Sequence, residues 1–120
     1  MTRKQIRFPN QRYNPTWWWN VQGEDDRWLI ATHQAPFMPK GTVTYTILDK
    51  QEKHRGPTNL IGQGWGDSRP WTDEHTSTLL DALRRGALPE PLPGYYGVVI
   101  EISHRNRVPA LEWETREVPS

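Results

Sequence analysis

Residues 70–86, PWTDEHTSTLLDALRRG, spell out one amphipathic helix with both ends marked. Thr72 stands at the N-cap position, where its hydroxyl can accept an orphan N–H of the first turn. Asp73 and Glu74 place negative charge at the positive end of the helix dipole, and Arg84 and Arg85 complement the other end. Gly86 suits the left-handed residue that closes a helix. Thr76, Leu79, Leu80 and Leu83 recur at the spacing of a single helical face. Burying each leucine is worth about 1.5–3 kcal/mol. An Asp81 pairing with Arg84 or Arg85 adds only about 0.2–0.5 kcal/mol. Packing must therefore hold this helix, and a single apolar stripe requires a surface beneath it.

The flanking segments offer that surface as strands. Thr42 to Leu48 alternates strictly, with Val43, Tyr45 and Ile47 on one face and Thr42, Thr44 and Thr46 on the other. That pattern predicts an antiparallel sheet covered on a single side. Arg27 to Thr32 follows a turn-like Gly23-Glu24-Asp25-Asp26 and reads as another strand. The three acids lack the spread ligands and defined glycine of a calcium loop, so a solvated turn is expected. Asn59 to Ile61 reads as a short returning strand, and Gly62-Gln63-Gly64-Trp65-Gly66 as a glycine-rich bend. The nucleotide fingerprint fails at that bend, because its glycines do not open a helix directly and no parallel unit surrounds them. Tyr95 to Ser103 and Val108 to Val118 alternate as well, predicting a hairpin with His104-Arg105-Asn106-Arg107 at its tip. Pro109 makes the second of these an edge strand. The expected fold is a single α+β domain over residues 1–120, with three to five mainly antiparallel strands and one helix packed on one face.

The chain is only 34% hydrophobic, with 11 prolines and 9 glycines, but its 7 tryptophans can still build a compact core. Pro89 to Gly94 alternates proline and is expected as a stiff connector. Fifteen basic and 14 acidic residues leave a net charge of +1, which does not announce a nucleic-acid or membrane protein. Cysteine is absent, which removes disulfides, thiolate catalysis and cysteine-ligated zinc. No apolar run approaches the ~20 residues of a membrane span, and no apolar stretch follows the basic N-terminus. A soluble, cytoplasmic protein without cofactor or bound metal is expected.

Residues 1–16 carry Arg3, Lys4, Arg7 and Arg12 among Ile6, Phe8 and Tyr13. They form either a basic aromatic arm or an extended segment that pins its apolar side chains to the core. The last residues, beyond the hairpin, are expected to be mobile. Trp17-Trp18-Trp19 follows. On a strand, Trp17 and Trp19 share one face and Trp18 points the other way. The rings serve as core filler or as part of a binding surface, since tryptophan is enriched at interaction hot spots.

Two phrases, Arg55-Gly56-Pro57-Thr58-Asn59-Leu60 and Ser103-His104-Arg105-Asn106-Arg107-Val108-Pro109, carry a family likeness. Around them the span from Tyr45 to Pro109 resembles small accessory proteins of actinobacterial tailed phages and prophages. The resemblance covers about half the chain, excludes the tryptophan-rich N-terminal part and the Pro89–Gly94 insert, and transfers no catalytic residue. It implies a phage-encoded protein acting on a host protein in the host cytoplasm.

Three functions compete. A host-protein binder would use Trp17, Trp18, Trp19 and Trp65, with Arg105 and Arg107 at the rim. A nucleic-acid binder would use Arg3, Lys4, Arg7 and Arg12 with His104, Arg105, Asn106 and Arg107. A metal-independent ribonuclease would need His33, Tyr95, His104, Arg105 and Arg107 to converge. Balanced charge, surplus tryptophan and scattered histidines favour the first.

Overall fold

A computed structural model describes residues 1–9, 16–34, 43–51, 71–86 and 112–120, together with the backbone of 60–66 and 95–98. Seven strands and one helix follow the order β1 (Thr2–Arg7), β2 (Trp19–Glu24), β3 (Trp28–His33), β4 (Thr44–Asp49), β5 (Leu60–Gly66), α1 (Asp73–Arg84), β6 (Tyr95–Val98) and β7 (Glu114–Pro119). The strands form one sheet in the order β6-β5-β4-β3-β2-β1-β7, with every pairing antiparallel. The α+β class and the single helix packed on the sheet agree with the pattern in the sequence. No described helix is long and apolar enough to cross a membrane.

Helix α1 keeps the signals that define it. Thr72 is the N-cap and accepts the His75 N–H at 3.4 Å, while Nδ1 of His75 accepts the Thr72 N–H at 3.2 Å. His75 thus completes a capping box in the position usually held by Glu or Gln. It is half-buried beside Trp71. Gly86 has a φ of 75°, the left-handed conformation expected after the last turn. Thr76, Leu79, Leu80 and Leu83 are buried, and the three leucines pack with Ile30, Tyr45 and Ile47 beneath partly buried Trp28, Val43 and Trp71.

The opposite face of the sheet is buried too, which corrects the single-sided expectation. Ile6, Phe8, Trp19, Leu29, Ala31 and Leu48 form a second core there, with Trp17, Val21 and Trp113 packed against it. Thr46, expected in water, is 0% exposed. The signal lay in β3, whose near-continuous apolar run Trp28-Leu29-Ile30-Ala31 belongs to a strand buried on both faces.

The sheet has seven strands, because β1 and β2 join those the sequence pattern marks out. β1 lies between β2 and β7, so residues 2–7 are an interior strand and not a free arm. The C-terminal residues are equally committed, with Thr2 opposite Pro119 and Arg7 opposite Glu114. The Arg7–Glu114 ion pair favours this ladder, as does the hydrogen bond that Thr2 Oγ1 donates to Glu117 at 3.1 Å. β7 is an edge strand, but its neighbour is β1. Among the described strands β6 lies at the other end of the order, and the remainder of the expected hairpin, residues 99–111 with its tip, lies outside the described residues. The glycine-rich stretch 62–66 is strand β5, not a bend. Gly62 and Gly64 stand opposite Ile47 and Tyr45, where a missing side chain leaves room for bulky partners.

Candidate functional site

The tryptophan triplet divides as strand parity requires. Trp19 is 2% exposed in the second core, and Trp17 packs against the same core. Trp18 faces the other way, onto the side of the sheet that carries α1, and is half-buried. The guanidinium carbons of Arg7 and Arg116 lie 4.5 and 4.0 Å from its ring centroid. Both are inside the ~6 Å range of cation–π attraction, worth about 0.5–1 kcal/mol each at accessible sites. Trp18 is therefore a ring held by two arginines from the two strands beyond it. Trp19, sealed inside, is corrected from a partner-binding residue to a core residue.

Arg7 reaches Trp18 because β1 places Arg3, Gln5 and Arg7 on one face and Lys4 and Ile6 on the other. Arg7 Nη2 donates to Glu114, while its Nε is buried without a partner. Arg116 donates through Nε to Gln5 Oε1 at 2.8 Å, and Gln5 Nε2 donates to Asn20 Oδ1 at 2.9 Å. These three residues face one another in register across β7, β1 and β2. Neither Gln5, Asn20 nor Arg116 was singled out by the sequence. Their meeting depends on the pairing of strands more than a hundred residues apart, and no local pattern encodes it.

The basic set proposed for nucleic acid is split by this parity. Arg3 and Arg7 share the Trp18 side, while Lys4 lies on the opposite side and pairs with Glu24 at 2.7 Å. Arg12, His104, Arg105, Asn106 and Arg107 lie outside the described residues, as do the side chains of Trp65 and Tyr95. The ribonuclease set therefore keeps one described side chain, His33. Its Nδ1 meets the Trp18 carbonyl oxygen at 3.2 Å, and its ring stacks on Trp17 with centroids 4.3 Å apart. A carbonyl only accepts, so Nδ1 carries the proton and Nε2 holds a buried lone pair without a partner. Burial pushes the His33 pKa below 6.5, with the Trp18 carbonyl acting in the opposite direction. Such a ring is shaped for packing, wedged between Trp17 and Trp19.

The acidic turn before β3 is likewise engaged. Asp25 accepts the N–H groups of Arg27 at 2.9 Å and Trp28 at 2.7 Å, and binds Arg84 of α1 at 3.0 Å. Glu24 binds both Lys4 and Lys50. Among the described residues, no three His, Asp or Glu side chains gather as metal ligands. What the described surface concentrates is an aromatic ring with fixed cations. Comparison of the chain with models of known protein families, with curated proteins and with solved structures found no match.

Proposed function

We propose that this chain is a non-enzymatic binding protein that engages a partner protein through Trp18 and the arginines that hold it. The observation that carries this reading is the half-buried indole of Trp18 with Arg7 and Arg116 both within 4.5 Å of its centroid. Tryptophan and arginine are the residues most enriched where truncation costs an interface the most. A ring already fixed by its neighbours loses little side-chain freedom when a partner covers it. The likeness of residues 45–109 to accessory proteins of actinobacterial phages makes a host protein the partner, modulated by occupation of its surface.

The test is affinity capture from an actinobacterial lysate with the wild-type chain and with Trp18→Ala. The expected result is a specific protein retained by the wild type and lost by the variant, with both proteins cooperatively folded. Capture that is indifferent to Trp18, or a Trp18→Ala protein that no longer folds, would return the ring to a purely structural role.

A further inference from the structure

The row Arg116–Gln5–Asn20 has a polarity that can be read without ambiguity. A guanidinium only donates, so Gln5 must turn its carbonyl oxygen to Arg116 and its amide nitrogen to Asn20. Asn20 then uses its oxygen on Gln5, which leaves its own amide N–H groups over. Both polar ends of Gln5 are used inside the row, and the residue is 7% exposed. What the row offers outward is therefore donors alone: Nη1 and Nη2 of Arg116 and Nδ2 of Asn20. Arg3, exposed on the same side of β1, adds a further cation.

Arg116 is also the right kind of donor. Among the described residues it has no carboxylate partner, and the acid opposite Arg7, Glu114, is taken by Arg7. Gln5 fixes its Nε and Trp18 supports its flat face, so the fork is oriented before any ligand arrives. A pre-oriented guanidinium beside an amide N–H suits an acceptor-only oxyanion.

We propose that the Arg116–Gln5–Asn20 row is an oxyanion site whose occupant is a carboxylate side chain from an acidic segment of the protein partner. This rests on the reading of Trp18 given above and specifies the chemistry of what meets it. A carboxylate is favoured over a nucleic-acid backbone by charge. A phosphodiester chain carries a charge at every nucleotide and requires a string of cations. Here Lys4 faces away, Arg7 is neutralised by Glu114, and the chain as a whole carries only +1.

The test is an NMR titration of the full chain at low salt with the pentapeptide acetyl-Glu-Gly-Glu-Gly-Glu-amide, and in parallel with an eight-nucleotide oligothymidylate. The expected result is saturable movement of the Arg116 Nε–H and Asn20 side-chain amide signals with the peptide. Arg116→Gln removes the fork and should weaken binding at least about tenfold. Gln5→Glu keeps size and fold, binds Arg116 from within, and forces Asn20 to turn its N–H groups inward. It should weaken binding by a similar factor although no charge on Arg116 is lost. Peptide binding that ignores both variants overturns the proposal, as does the absence of saturation. Tighter binding of the oligothymidylate at the same signals overturns the choice of a carboxylate. A captured protein lost with Trp18→Ala but kept by Arg116→Gln and Gln5→Glu would refute this inference alone and leave the Trp18 reading standing.

Discussion

Replacing Gly23 by alanine measures how tightly α1 is seated on the sheet. Gly23 lies at the irregularity in the β2–β3 pairing, opposite Ile30 and beneath the helix. A Cβ at this position would meet Cγ2 of Thr76 at 2.5 Å and Cδ1 of Leu80 at 3.5 Å. Carbon atoms pack at about 3.5–4.0 Å, so the first contact overlaps by about 1 Å. Thr76 has little freedom to yield, because it is 8% exposed and its hydroxyl accepts the Trp71 indole N–H at 2.8 Å. Two effects oppose each other. The backbone of Gly23 is open to alanine, and the loss of unfolded-state freedom would stabilise by about 0.4–1 kcal/mol. Overpacking costs about 1–3 kcal/mol and wins, for a net loss of about 1–2 kcal/mol. Thr76→Ser deletes the offending methyl and keeps the hydroxyl for Trp71. By itself it should cost about 0.8 kcal/mol. Combined with Gly23→Ala it should recover most of the overlap, giving a coupling of about 1 kcal/mol or more. Urea unfolding of the four proteins, followed by tryptophan fluorescence, supplies every corner of the cycle. A Gly23→Ala protein as stable as wild type, or a double variant that is simply additive, would refute the argument.

Other consequences concern charge. Asp49 is 3% exposed at its side chain and is held by Arg27 through Nε and Nη2, with Nη2–Oδ2 at 3.0 Å. Arg27→Ala leaves that carboxylate with the Gln51 N–H and should cost about 1–3 kcal/mol, since the arginine is itself half-exposed; Asp49→Asn in the same background should restore part of the loss in urea unfolding. His33 is held neutral by burial, so the unfolded chain takes up its proton first as pH falls below 6.5. Stability is therefore complete above that value and declines as pH drops towards the lowered folded value, and His33→Asn should flatten that part of the urea-midpoint profile. Burial raises the pKa of Glu24, but Lys4 and Lys50 more than offset it and hold the carboxyl below 4.5; burial of Asp25 is likewise outweighed by the Trp28 and Arg27 N–H groups and by Arg84, which hold it below 3.8. Both contribute stability above their unfolded values and lose it as pH falls through the folded ones, so a second acid transition should soften in Glu24→Gln and Asp25→Asn.

What was legible in the sequence was local. Thr72, the acids after it, the leucine spacing and Gly86 lie within one short stretch and need no distant partner to be read. The acidic turn between β2 and β3 was equally plain. Strand β5 was not, because Gly62, Gly64 and Gly66 repeat at the period of a strand without a side chain to show it. The pairing of β1 with β7 joins the two ends of the chain, and only the match of Arg7 to Glu114 hints at it. The candidate site follows the same division. The opposite directions of Trp18 and its neighbours came from parity alone, while the company Trp18 keeps came from register across three strands.

The place of β1 between its early and late neighbours bears on how the molecule is made. β2 emerges from the ribosome soon after β1 and can pair with it at once. The other edge of β1 must wait for residues 114–119, delivered many seconds later at ~5–20 residues per second. Until then its backbone is an open template that a neighbouring nascent chain can capture. Arg116 arrives with that same final strand, so a translation product cut short before it would lack one of the two cations that hold Trp18. Synthesis itself thus reserves the assembled surface for chains translated past residue 116.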